Sequence, residues 1–296
     1  MKFSRSAFVS LLLFGLAVGA QGQPAAPATR VAVLNFGETN SGRLTSERLS
    51  AALTLESAVL LIDRDLARVA ARGAGYSGSL NLTVQEARDL GAAIGCDFYL
   101  LGDAQTLRRS PSSGATYFES YASIFLVSAR SGRLISWDRP SFEAATPEEA
   151  QKLLLSQISN AETRRRYLAA LGRAQEEERS QRQIAVQRNT PVIEEAPEEV
   201  DEKSALRMPR PYRRLRPAYP DTAARADAEG TVDVLLDLDK DGEVSRVELA
   251  RWAGFGLDEA TMNTVRQLHF FPALRDGAPI PIRILLRYNF RKPARP

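Results

Sequence analysis

Few residues of this chain have the types and spacing to do chemistry. Asp237, Asp239, Asp241, Gly242 and Glu248 fit the D-x-D-x-D-G-x5-E spacing of a calcium-binding loop. Such a loop needs a helix on each side. Here both flanks alternate apolar and polar residues, as strands do, and Asp241-Gly242 suits the turn of a hairpin. The spacing therefore predicts a turn rather than a metal site. His269 is the only histidine. With no second histidine or cysteine nearby it lacks partners for a metal, and no G-x-S-x-G elbow offers it a nucleophile. It reads as a packed or surface residue, and Trp252 and Phe255 read as core or hairpin-end packing rather than a ligand box. Cys96, the only cysteine, lies in the apolar run Ala92–Phe98 and reads as a small buried hydrophobe; a reactive thiol is the lesser reading. Asp63-Arg64-Asp65 ends an apolar run, where α/β sheets can host ligands; a turn that caps the next helix accounts for it more simply. We expect no catalytic residue, no metal, no cofactor and no enzymatic activity.

The elements around these residues are easier to read. Val232, Val234, Leu236 and Leu238 alternate with Thr231, Asp233, Leu235 and Asp237, which predicts a strand with one face inward. Val244 to Leu249 is the return strand. Leu257, Ala260, Thr261, Val265 and Leu268 recur at helical spacing, with Asp258 and Glu259 at the positive end of the helix dipole. In the last strand Ile282, Ile284, Leu286, Tyr288 and Phe290 share a face, and Arg283, Leu285, Arg287 and Asn289 share the other. The order β-β-α-β predicts a small antiparallel sheet with a helix on one side. A short sheet has borders that expose unpaired backbone donors and acceptors.

Upstream, Thr29–Phe36, Val59–Ile62 and Asp97–Leu101 read as strands, the last closed by Gly102, and Leu44, Leu49 and Leu53 suggest a helix between the first two. Thr83-Val84-Gln85-Glu86 is a capping box, and Tyr117–Ala129 with Leu134–Trp137 a hairpin about Ser131-Gly132. Thr146-Pro147-Glu148-Glu149 opens a long helical run to about Gln187. These predict an α/β sandwich with a mixed sheet. The acidic stretch Glu194–Glu202 and the arginines at 207, 210, 213, 214 and 216 read as a solvated linker. Met1 to Ala20 has the charged start, apolar middle and small residues of a signal peptide, a retained anchor being the alternative. The expected division is 1–22 signal peptide, 29–160 α/β domain, 161–208 helical then disordered charged linker, and 209–292 C-terminal domain. The net charge of +3 gives no case for nucleic acid.

Tyr219-Pro220, Glu229-Gly230-Thr231-Val232, Asp239-Lys240-Asp241-Gly242, Gly256-Leu257-Asp258-Glu259-Ala260, Phe270-Phe271-Pro272-Ala273 and Gly277-Ala278-Pro279-Ile280-Pro281 follow one another as they do in one known domain. Over about 210–292 the chain resembles the C-terminal domain of TonB, the periplasmic energy transducer of Gram-negative bacteria. The segments Val31–Phe36, Leu61–Arg64 and Gly95–Gly102 are similar to the domain shared by curli-secretion and flagellar-assembly lipoproteins and by the N-terminal domain of TolB. The lipid-bearing cysteine of those lipoproteins is missing, and the linker is short and charged where TonB proteins carry a long proline-rich spacer.

The first resemblance implies that the last strand grips an extended peptide from an outer-membrane transporter by strand addition. Carried onto this chain, the binding residues are Ile282, Arg283, Ile284, Leu285, Leu286, Arg287, Tyr288 and Asn289. Arg283, Arg287 and Asn289 would either select the peptide or simply face water. The expected function is support of energy-coupled transport from the periplasm, with inner-membrane motor proteins, other envelope proteins or a second copy as further partners. The alternative is an envelope assembly or scaffold protein that uses the module for contacts without transferring force.

Overall fold

The computed structural model describes residues 28–187, 193–197 and 205–292. The expected signal peptide over 1–22 and most of the acidic stretch lie outside the described residues. The N-terminal sheet starts with β1 (Thr29–Val33), followed by helix α1 (Asn40–Thr54) and strand β2 (Val59–Leu61). Helices α2 (Arg64–Gly73) and α3 (Val84–Ile94) lead to β3 (Phe98–Arg109), β4 (Tyr117–Ser128), β5 (Leu134–Asp138) and β6 (Ser141–Ala144). The order across the sheet is β2-β1-β3-β4-β5, with β6 on the far part of β4. β1 is parallel to β2 and β3, and the rest is antiparallel, so the sheet is mixed.

Helix α3 begins at the expected capping box, Thr83 and Glu86 each bonding the other's backbone N–H. Gly102 does not end β3. The strand runs on to Arg109 because β4 crosses so closely that a Cβ at residue 102 would sit 2.4 Å from the Ser123 carbonyl oxygen. Glycine marks a close approach there, not a stop. Helices α4 (Pro147–Ser159) and α5 (Ala161–Gln187) replace the single long helix expected from composition. Asn160 between them is extended (φ −73°, ψ 158°), and its carboxamide accepts the Thr163 N–H at 2.7 Å, capping α5. The break lets both helices lie on the sheet. Leu154, Ile158, Tyr167, Ala170, Leu171 and Ala174 pack with Leu49 and Leu53 of α1 against Val31, Val33, Phe98, Leu100, Ile124 and Leu126.

The C-terminal part begins with the two-residue strand β7 (Glu194–Glu195), then β8 (Leu206–Arg207), β9 (Arg210–Pro211) and helix α6 (Asp221–Ala226). Next come β10 (Gly230–Leu238), β11 (Val244–Arg251), helix α7 (Leu257–Val265), β12 (Phe270–Phe271), β13 (Ala273–Arg275), β14 (Ala278–Ile280) and β15 (Ile282–Phe290). β10 pairs antiparallel with β11 on one side and β15 on the other, and β7 adds in parallel to the start of β15. Val234, Leu236, Leu238, Ile282 and Ile284 pack with Val265 at the end of α7 and with Leu268 and Phe270 just beyond it. Each such side chain contributes roughly 1.5–3 kcal/mol when fully buried.

The two parts share a core. Tyr99, Leu101, Phe125 and Val127 turn to the face of the N-terminal sheet opposite α1, α4 and α5. There they meet α3 residues Ala87, Leu90 and Ile94, and also Val232, Trp252, Ala253, Phe255, Leu257 and Phe290. The C-terminal module thus completes the cover of that face.

Candidate functional site

In a strand, the N–H and C=O of one residue point the same way and alternate from residue to residue. The Ala196 N–H donates to the Arg283 carbonyl at 2.8 Å, from the side of β15 away from β10. Arg283, Leu285, Arg287 and Asn289 therefore turn their backbone groups outward, while Ile282, Ile284, Leu286, Tyr288 and Phe290 bond β10. Beyond Arg283 no strand of the described residues pairs with this border. Leu285, Arg287 and Asn289 present an alternating row of donors and acceptors, which suits the addition of an extended chain.

The side chains of the same residues do something else. Asp237 lies directly across from Arg283, and Asp233 across from Arg287. Arg283 Nε and Nη2 donate to Asp237 at 2.5 and 2.9 Å, and Arg287 Nε and Nη2 to Asp233 at 2.7 and 2.9 Å. Arg251 of β11 approaches Asp233 from the other side at 3.3 Å. Asn289 Oδ1 accepts from Thr231 Oγ1 at 2.8 Å. Both carboxylates are only 3% exposed, so removing either arginine would leave a buried charge short of a partner. The two arginines bind the last strand to its neighbour through forked contacts. Leu285 is 51% exposed among them and has no polar task.

The module is clamped at its other end. Asn81 donates through Nδ2 to the carbonyls of Thr231 (2.8 Å) and Trp252 (2.6 Å), and its Oδ1 accepts the Thr231 N–H at 3.0 Å. Thr83 and Arg251 form an antiparallel bridge, and the Trp252 N–H reaches the Leu82 carbonyl at 3.2 Å. Trp252 stacks on Phe125 with centroids 5.9 Å apart, and its Nε1 donates to the Gly132 carbonyl at 3.0 Å. Gly254, at φ +73°, lies so near Phe125 that a Cβ would stand 2.4 Å from the ring. Asn81→Ala removes three hydrogen bonds and strands polar groups at this seam. A loss of about 2 kcal/mol is expected in chemical denaturation, with the denaturant slope unchanged.

Asp258 at the start of α7 holds the turn after Trp252. Its carboxylate accepts the N–H groups of Ala253 (2.8 Å) and Gly254 (2.9 Å). Burial, only partly offset by those two bonds, pushes its pKa up to about 6. The ionised form is thus the costlier one in the folded state. Its share of stability is full below about pH 4 and is lost as pH rises through about 6. Melts between pH 4 and pH 7 are expected to show this decline, and Asp258→Asn to remove it.

The other chemical candidates are engaged locally. Asp239 Oδ1 accepts the Asp241 and Glu243 N–H groups, each at 2.9 Å, inside the β10–β11 turn. With Asp237 bound to Arg283 and Glu248 to Arg246, the calcium-loop spacing falls on a hairpin. His269 is exposed, with Nδ1 2.9 Å from the Glu243 carboxylate. Cys96 is half-buried, and burial drives its thiol pKa to about 12. Asp63 caps α2 by accepting the Leu66 N–H, and Arg64 turns to Glu47 at 3.5 Å. No trio of metal-ligating side chains is gathered among the described residues, and none of their helices is long and apolar enough to cross a membrane. The sequence missed the clamp. Its one signal is the density of aromatic and glycine residues in Trp252-Ala253-Gly254-Phe255-Gly256, more than a hairpin end needs.

Residues 216–291 match the family model described as Gram-negative bacterial TonB protein C-terminal. No curated protein sequence matches the chain. Among solved structures, the Pseudomonas aeruginosa TonB C-terminal domain is similar at 21% identity and a TM-score of 0.26, over 32% of this chain and 94% of that one. The hypothetical protein CT253 of Chlamydia trachomatis is similar at 12% identity and a TM-score of 0.31, over 44% and 93%. Lipoprotein GNA1162 of Neisseria meningitidis is similar at 15% and 0.29, over 50% and 97%.

Proposed function

From a C-terminal domain of the TonB type over residues 216–291, we propose a periplasmic protein that takes up an extended segment of an outer-membrane transporter as an added strand on β15. It would thereby support energy-coupled transport. The observation that carries this reading is the outward row of backbone groups at Leu285, Arg287 and Asn289, beyond the last paired position of the border. Strand addition draws its affinity from such main-chain groups and its selectivity from alternate side chains. With Arg283 and Arg287 committed to Asp237 and Asp233, the exposed Leu285 is the side chain left to meet the guest.

The clamp favours a second reading. A module that shares its core with the N-terminal domain moves with it, so any pull must pass through that domain. An envelope scaffold needs only the contact. Immobilised peptides from the plug segments of the host's outer-membrane transporters test the binding step. Micromolar capture, equivalent to about 8 kcal/mol, is expected for at least one. Capture of none would refute the strand-addition reading. Loss of transporter-dependent uptake in a deletion strain supports the transducer; intact uptake with peptides still bound supports the scaffold.

A further inference from the structure

The border of β15 already holds a strand. Ile193–Pro197 runs beside it in parallel, with Glu194 opposite Ile282 and Glu195 opposite Arg283. The Ala196 N–H donates to the Arg283 carbonyl at 2.8 Å, and Ala196 packs against the module's own core. The Glu194 carboxylate pairs with Arg275 of β13. Pro197 follows, and the pairing goes no further among the described residues. Two acidic residues and a small one, extended and parallel, therefore occupy the first positions of the surface proposed for a partner.

We propose that Ile193–Pro197 is an internal occupant of the docking border, which an incoming segment must displace to pair along all of β15. The inference rests on the strand-addition reading. It also fixes the chemistry of the rival. A guest that takes these positions is extended, runs parallel to β15, and offers a carboxylate to Arg275 with a small residue two places on. Held in the same chain, the occupant competes at a high effective concentration, so it lowers the affinity of any guest.

Ala196→Pro removes the donor to Arg283, and Glu194→Lys sets two cations against each other at Arg275. The probe is a fluorescent synthetic peptide with the sequence of residues 190–200, titrated by anisotropy into the full chain and into each variant. Both variants should bind it about tenfold more tightly than the parent, the worth of one lost internal hydrogen bond. Equal affinity in all three proteins overturns the internal occupant and leaves strand addition standing. Binding to none overturns both. Thermal melts of the variants should stay close to the parent, because only the partly buried Ala196 of this segment meets the core cluster.

Discussion

Trp252→Ala is expected to lower stability by about 4 kcal/mol and to split a single thermal transition into two. Trp252 is 1% exposed. It fills the space between Phe125, on which it stacks, and the backbone of the β4–β5 turn, where its indole N–H satisfies Gly132. Truncation leaves a cavity and an unpaired carbonyl, two separate costs. Phe255 then loses its setting too, since it meets Phe125 edge-on at 5.4 Å and Trp137 at 5.5 Å. With the seam weakened, each part retains a core of its own, the α1-α4-α5 side in one and the α7 side in the other. Calorimetry should resolve both. Trp252→Phe keeps the stack, loses the donor, and is expected to fall between. One transition with a loss below about 1 kcal/mol would show that the shared core is not what joins the parts.

Proline in the last strand should act by parity. At Leu286, whose N–H faces β10, it removes a ladder bond inside the sheet and is expected to cost about 3 kcal/mol or more. At Leu285, whose N–H faces outward, proline is of the kind edge strands tolerate. Stability there should change by less than about 1 kcal/mol while captured peptide falls at least tenfold. Denaturant titration and peptide binding on the same two proteins separate the effects. If Leu285→Pro binds as well as the parent, the outward groups are not the docking surface. If it unfolds the module, the parity assigned to β15 is wrong.

Much of this was legible in the residues. Period-two alternation in β10 and β15 is visible because one face is buried and the other wet, and the Asp-Gly turn follows from backbone sterics. The Thr83 and Thr146 caps are local signals, and both helices start there. What could not be read was non-local. Gly102 resembles a stop until β4 is known to cross it. The Asp233–Arg287 and Asp237–Arg283 pairs depend on the register of strands about fifty residues apart. Asn81 meets Thr231 from 150 residues away, and nothing near either residue announces the other. The short strand at Glu194–Glu195 is hidden for a similar reason, since its acidic composition reads as linker and only the sheet border gives it a partner.

The most direct measurement is amide hydrogen exchange along β15, read residue by residue by NMR in the free protein and with a captured transporter peptide. Exchange should alternate in the free protein, slow at Ile284, Leu286 and Tyr288 and fast at Leu285, Arg287 and Asn289. Peptide should then slow the fast set and leave the slow set unchanged. Protection of Leu285, Arg287 and Asn289 before any peptide is added, or their continued fast exchange at saturation, would contradict strand addition at this border.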